Sequence, residues 1–205
     1  MTNLPFGTDG LTPSEIVYIY EGFKALEEKF TLERTGTIDF DLNSFEAFKD
    51  YNEVIVRDSY IIKGLADSCY ILLVETYKKI VWQSGEVDEL REYHIWALSY
   101  LKQDLGRIKI RPETLRDKIV ELITPIEIDF KEDKAFSDAY YVVANDHQKA
   151  VNGITQSFRD AVMGVNEDNV IIEINHHALI IGSNKGISPE KAVCLADFVK
   201  KVTSL

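Results

Sequence analysis

The chain has 205 residues, of which 34 are acidic and 23 basic, and its formal net charge is −11. Its 45% apolar and 28% charged residues are typical of an ordinary soluble globular protein, which excludes a disordered tail and a membrane protein. A field of this sign repels phosphate backbones and anionic lipid, so we expect neither nucleic acid nor a membrane as a partner.

The sequence also favours a cytoplasmic location. The first ten residues, MTNLPFGTDG, contain neither the basic nor the apolar region of a secretory signal. The most apolar long stretch, residues 60–82, is interrupted by charged residues, which argues against a membrane span. Cys69 and Cys194 lie in apolar segments, so we interpret them as buried thiols in a reducing compartment, not as a disulfide or a nucleophile.

The first part of the chain predicts a helix that begins at a strong local signal. Thr12, Pro13 and Glu15 have the pattern of a capping box with proline in the first turn, and the helix is expected to run to about Phe30. Its apolar residues step by three and four, as on one helix face: Ile16, Ile19, Tyr20, Phe23 and Leu26.

Two longer helices are predicted over residues 53–82 and 87–105, where apolar residues keep roughly helical spacing. Gly106 is a natural helix stop, and a further helix is expected to begin near Pro112 and to end before Pro125. The spacing therefore predicts a helical bundle over residues 1–124.

After Pro125 the apolar pattern changes its period. IEIDF (126–130) and AYYVVA (139–144) predict strands, and Asn145 or Asp146 is placed to cap a helix to about Val165. VIIEINHHALIIG (170–182) predicts a hairpin, and Ser188 begins a last helix. We therefore expect an α+β protein in which the N-terminal helical bundle packs against a small C-terminal α+β domain, residues 125–205, ordered strand, strand, helix, hairpin, helix.

His176 and His177 stand side by side in this hairpin and raise the question of a metal site. Adjacent residues of an extended strand point to opposite faces, so they are badly placed to chelate one ion. The loop is expected at Asn175-His176 or at His176-His177, and we interpret the pair as a turn.

One face of the hairpin needs a second cover. Ile171 and Ile180 lie beside Glu173 on the face opposite to Ile172 and Ile174, and two helices can cover only one side of a small sheet. We expect the N-terminal helices or a partner protein to cover it, so Ile171, Glu173 and Ile180 are the predicted interaction surface.

Other polar patterns are weaker. Residues 39–50 place Asp39, Asp41 and Asp50 as in a calcium loop, but Ser44 stands where the sharp turn needs glycine, so caps are favoured. GSNKGIS (182–188) lacks the glycine spacing of a phosphate-binding loop. His94 lies in an apolar stripe and is interpreted as a core histidine. We assign no catalytic, cofactor-binding or metal-ligating residue.

The sequence therefore favours a non-catalytic, acidic cytoplasmic protein that binds another protein, as an adaptor, an inhibitor or an immunity-type factor. The expected partner is a basic protein surface, and an oligomer is compatible with the pattern. The alternative is a metal-dependent or hydrolytic enzyme in which dispersed residues, such as Asp39, Asp41, His94 and His176, meet in a cleft between the two halves.

Overall fold

A single antiparallel sheet organises the molecule. The computed structural model describes residues 6–64, 68–83, 85–113, 126–165, 169–183 and 188–205. Within these ranges the strands are arranged in the order β1-β2-β3-β4-β9-β8-β5-β7-β6. They are β1 (Leu32–Arg34), β2 (Glu53–Ile62), β3 (Cys69–Val81), β4 (Val87–Tyr100), β5 (Arg107–Pro112), β6 (Ile126–Glu127), β7 (Tyr140–Ala144), β8 (Ile171–Asn175) and β9 (Ala178–Gly182).

The helices begin at capping signals that the sequence contains. They are α1 (Pro13–Lys29), α2 (Lys134–Ala139), α3 (His147–Gly153), α4 (Gln156–Met163) and α5 (Pro189–Thr203). Thr12 and Glu15 form the predicted reciprocal capping box of α1, and Ser188 caps α5 by accepting from the backbone N–H of Lys191 at 3.1 Å. No helix in the described ranges is long and apolar enough to cross a membrane.

The sheet is covered on both faces. On one, the helix-covered face, α1 and α5 pack against each other, and α5 packs on β3, β4 and β9. On the other, residues 38–51 form a cover segment that contains two short 3₁₀ turns, Leu42–Ser44 and Glu46–Phe48. The apolar residues of this segment pack on β2, β3, β4 and β9.

Trp96 of β4 is the centre of the core beneath the cover segment. It is fully buried, and its ring lies 4.7 Å from the ring of Phe48, centroid to centroid. The indole also lies over Gly182 of β9, where an added Cβ would be 2.2 Å from Cδ2 of the ring. Because Gly182 has no side chain, the indole of Trp96 can occupy this space.

The predicted N-terminal helical bundle is wrong. Within residues 53–82, Glu53–Ile62 form β2 and Cys69–Val81 form β3, and most of residues 87–105 form β4. Because both faces of β3 are buried over residues 71–76 and both faces of β4 over residues 93–99, apolar residues there occur on every side, as they also do on a central helix. The helix expected from Pro112 falls mostly on residues 114–125, which lie outside the described residues, and Pro112 itself ends β5.

Toward the C-terminus the structure adjusts individual predictions. The strand expected over 126–130 is only Ile126–Glu127, and the helix expected to reach about Val165 is divided into α3 and α4, the second capped by Thr155. The hairpin β8–β9 and helix α5 are confirmed. Strands of both predicted parts share the sheet: β5 lies between β7 and β8, and β4 lies beside β9.

Candidate protein-binding surface

The hairpin of β3 and β4 extends beyond the strands that flank it. β3 pairs with β4 from Cys69↔Ser99 to Val81↔Val87, whereas β2 reaches only as far as Glu53↔Tyr77. On the other side, β9 pairs with β4 only from Trp96 to Tyr100. In the described part of the chain, the distal end of the hairpin is therefore a two-stranded ribbon, and we call residues 80–90 the hairpin tip.

The turn of this hairpin is fixed by backbone geometry. The N–H of Trp82 donates to the carbonyl of Glu86 at 2.9 Å, and the N–H of Gly85 donates to the carbonyl of Trp82 at 2.9 Å. Gly85 has φ +82°, a left-handed conformation that glycine adopts without steric cost. This is the bonding of a hairpin loop that ends in a bulge glycine.

The tip exposes large apolar side chains. Val81 is 66% exposed, Trp82 52%, Val87 45% and Leu90 42%. The indole N–H of Trp82 donates to Oδ2 of Asp88 at 2.7 Å, which holds the ring against the neighbouring strand. The sequence of residues 80–90 contains three acidic residues and no basic one. The tip is therefore an apolar surface with an acidic border.

A buried carboxylate, Glu75, holds together the strands at the end of the ribbon that joins the sheet. Glu75 of β3 is 2% exposed and pairs with Arg57 of β2, Nε to Oε2, at 2.6 Å, and with Arg91 of β4. The guanidinium of Arg91 also lies 4.9 Å above the ring of Tyr77. These contacts join three strands where β2 ends, so the ribbon leaves the sheet from a fixed base.

The residues predicted as the interaction surface lie inside the molecule. Ile171, Glu173 and Ile180 are 6%, 3% and 0% exposed. Ile180 belongs to the core beneath the cover segment, and the amide of Asn175 donates to Oγ of Ser44 at 3.0 Å. The cover segment, which contains 3₁₀ turns in place of the expected α-helices, thus contacts the second face of this hairpin.

Glu173 is a buried carboxylate beneath this cover. Oε1 lies 3.5 Å from Nζ of Lys109 on the adjacent strand β5. Burial raises the pKa of Glu173 above its ordinary value, although Lys109 and hydrogen bonds from the backbone of Ala47 and Glu46 act in the opposite direction. Its contacts therefore attach the cover segment to the sheet.

The histidines considered for chemistry have separate environments. His94 is buried on the segment-covered face of β4, and burial lowers its pKa to about 4. His176 and His177 form the turn of β8–β9; Nδ1 of His176 lies 3.0 Å from Oδ1 of Asp104, and Nδ1 of His177 lies 3.1 Å from the carbonyl oxygen of Leu101. The pair does not converge on one point.

The acidic residues considered for calcium lie at the start of the cover segment. Oδ1 of Asp39 accepts from the backbone N–H of Asp41, and Asp41 has φ +51°. No group of three or more His, Cys, Asp or Glu side chains within the described ranges is arranged to hold a metal ion. No hydrogen bond or ion pair of the described residues joins Asp39 or Asp41 to His94 or His176. Of the segment 182–188, residues 184–187 lie outside the described residues.

The exposed tip is not predicted from the sequence, because Val81 and Val87 fall within the two helices predicted over residues 53–82 and 87–105. The available signal was the turn sequence QSGE, residues 83–86, directly after the β-branched and aromatic residues Ile80, Val81 and Trp82. A short turn with glycine next to residues that favour strands indicates a hairpin.

Comparisons with known proteins identify a fold. No family model matches the sequence, and no curated protein matches it. The chain is similar to the crystal structure of the mycobacterial trehalose monomycolate transport factor A, TtfA, with a TM-score of 0.57 and 8% sequence identity over 90% of each chain. At this identity the similarity shows a shared fold and nothing about activity.

Proposed function

We propose that this protein is a non-catalytic binding protein whose hairpin tip docks into an apolar pocket of another protein. The observation that carries the proposal is the exposure of Val81, Trp82, Val87 and Leu90 at the end of a ribbon that no third strand supports within the described residues. Neither Cys69 nor Cys194 is in a disulfide, which supports a cytoplasmic location as part of this proposal.

Exposed apolar side chains of this size are a feature of binding surfaces. Scattered single apolar residues are normal on protein surfaces, but a group of large ones with a polar border is typical of an interaction site. At the tip, Val81 and Val87 lie on the helix-covered side of the ribbon, and Trp82 and Leu90 lie on the other side. A tryptophan near the centre of an interface commonly contributes a large share of the binding energy. Trp82, held by Asp88, is the expected anchor.

The charge of the tip selects among partners. Glu86, Asp88 and Glu89 stand between the apolar residues, and the sequence of residues 80–90 contains no lysine or arginine. A phosphate backbone or an anionic bilayer is repelled by this arrangement, whereas a pocket bordered by lysine and arginine is attracted. We therefore propose a basic protein as the partner.

The test uses the full-length protein with a photoreactive benzoylphenylalanine in place of Val87. We expect cross-linking in cells to give one adduct of discrete mass, and we expect the same probe in place of Lys24, an exposed residue of α1, not to give it. The partner is then identified by mass spectrometry and purified for a measurement of its dissociation constant.

The binding measurement decides the proposal. Trp82→Ala is expected to raise the dissociation constant at least about thirtyfold, as for an interface hot spot of about 2 kcal/mol. The matched control is Tyr18→Ala, which removes an aromatic residue that is 54% exposed on α1 and is expected to leave the constant unchanged. Equal effects of the two substitutions, or identical adducts at both probe positions, would refute the proposal.

A further inference from the structure

The two edges of the projecting ribbon differ in how their backbone groups are used. On the outer edge of β3, the backbone N–H of Asn52 donates to the carbonyl of Tyr77 at 2.8 Å, and Oδ1 of Asn52 accepts from the N–H of Lys79 at 2.7 Å. On the outer edge of β4, no backbone hydrogen bond from the described residues reaches positions 87–91. One edge is capped and the other is open.

The register shows which residues of β4 direct their backbone outward. Opposed residues of an antiparallel pair alternate between hydrogen-bonded and non-hydrogen-bonded pairs. Trp82 bonds to Glu86, so the next pair, Val81↔Val87, is non-hydrogen-bonded, and the alternation continues along the ladder. Val87, Glu89 and Arg91 therefore direct their N–H and C=O groups away from β3.

The capped edge provides an independent check of this assignment. Tyr77 is opposite Arg91 in the register, and its carbonyl accepts from Asn52 on the side away from β4. The pair Tyr77↔Arg91 is therefore non-hydrogen-bonded, as the alternation from the turn requires. Arg91 consequently presents its backbone groups at the open edge.

Side chains along the open edge define what fits there. On the helix-covered side of the sheet the edge carries Val87, Glu89 and Arg91, and on the other side it carries Asp88 and Leu90. Lys79 lies opposite Glu89 in the register, but Asp88 lies opposite the apolar Ile80. An added strand of alternating apolar and basic residues has its apolar side chains on one face and its basic side chains on the other. Such a strand matches this edge with its apolar residues beside Val87 and its basic residues beside Asp88, because Glu89 already faces Lys79 and Arg91 is paired with Glu75.

We infer that the partner adds an extended segment of alternating apolar and basic residues to β4 at residues 87–91, as an additional strand. The inference rests on the proposed function, because it specifies how the same tip is bound. Main-chain hydrogen bonds to Val87, Glu89 and Arg91 supply affinity. Contacts of the apolar residues with Val87, and of the basic residues with Asp88 and Trp82, supply selectivity. An open strand edge is the structural element that accepts such an addition.

Amide hydrogen exchange measured by NMR tests the inference on the full chain. In the free protein, the amides of Asp88 and Leu90 are expected to be protected by the ladder, and those of Val87, Glu89 and Arg91 to exchange fast. The probe is an acetylated, amidated nine-residue peptide of alternating lysine and valine. Its addition is expected to slow exchange at least tenfold at the three outward amides and to leave Asp88 and Leu90 unchanged.

Two controls separate strand addition from other binding. The same peptide with every backbone amide N-methylated retains its side chains but lacks donors, and it is expected not to bind. Glu89→Pro removes one outward N–H and is expected to weaken peptide binding at least tenfold, whereas Glu89→Gln removes only the charge and is expected to weaken it less. Retained protection at Asp88 and Leu90 shows that the proline variant is folded.

The outcomes distinguish the inference from the proposed function. Failure of the peptide to bind, binding of the N-methylated peptide, or uniform protection along β4 would overturn strand addition. The proposed function would survive any of these results if Trp82→Ala still weakens binding of the cross-linked partner. Loss of both effects would remove the tip as a binding surface altogether.

Discussion

The hairpins β3–β4 and β8–β9 belong to the same sheet but end in opposite environments. The strands of β8–β9 are buried on both faces, and its turn histidines contact Asp104 and Leu101 of the neighbouring loop. The end of β3–β4 has neither a third strand nor a cover within the described residues, and it exposes Trp82. Similar ladders thus serve a packing role in one place and present a surface in the other.

The difference shows that apolar content alone does not reveal the role of a strand. Ile180 and Leu90 are both apolar residues of hairpin strands, and one is 0% and the other 42% exposed. What separates them is the length of the neighbouring strands and the position of the cover segment. Substitutions in each hairpin test the comparison.

Trp96→Ala should cause the largest loss of stability. Trp96 is fully buried between Phe48 and Gly182, and removing a buried aromatic side chain typically costs about 3 to 5 kcal/mol. Urea unfolding followed by far-UV circular dichroism measures the change. A loss below about 1 kcal/mol would contradict the assignment of Trp96 to the core beneath the cover segment.

The protonation of His94 should reduce stability in acid. Burial lowers its folded pKa to about 4, below the value of about 6.5 for an exposed histidine, so the unfolded chain binds more protons between these values. Stability is therefore expected to fall by up to about 3 kcal/mol as the pH drops from about 6.5 to about 4. Urea unfolding across this pH range is measured for the protein and for His94→Leu. The free energy of unfolding should depend less on pH in the variant. Identical slopes would contradict the prediction.

Gly182→Ala should have an intermediate effect. A Cβ at this position would lie 2.2 Å from the Trp96 ring, and overpacking of this kind costs about 1 to 3 kcal/mol. Gly7→Ala is the matched control, because an added Cβ there meets nothing within 4 Å. Thermal unfolding of both variants measures the difference, and equal melting temperatures would show that the indole shifts without cost.

Trp82→Ala and Leu90→Ser should have the smallest effect on stability. Both side chains are exposed at the hairpin tip, and such surface substitutions usually change the free energy of unfolding by less than about 0.5 kcal/mol. Their expected effect is on partner binding alone. If urea unfolding shows a loss near that of Trp96→Ala, the tip is packed in solution and the contrast between the hairpins fails.

The sequence contains strong local signals for part of this fold. The caps at Thr12 and Ser188 and the turn at His176 are each decided by a few adjacent residues, and the structure confirms these elements. The long strands could not be predicted in this way. Their burial on both faces depends on the cover segment and on α5, which are distant in sequence, so an all-round apolar pattern was assigned to helices.

The candidate surface was beyond prediction for a related reason. Val81 and Val87 are exposed because neither flanking strand reaches them. The pairing of β2 with β3 stops at Glu53↔Tyr77, and the pairing of β4 with β9 stops at Trp96. These are facts about register between distant segments. The turn at Gly85 was visible in the sequence, but the point at which the flanking strands stop was not.

The pairing of β4 with β9 has a consequence for the order of folding. It joins residues 96–100 to residues 178–182, whereas few residues separate β2 from β3 and β3 from β4 along the chain. Contacts between distant segments form slowly because a long loop must first be closed. During synthesis, β2, β3 and β4 can pair early, but β4 can pair with β9 only after β9 has left the ribosome. Until then the edge at residues 96–100 is available for misassociation, and the nascent chain is most vulnerable there.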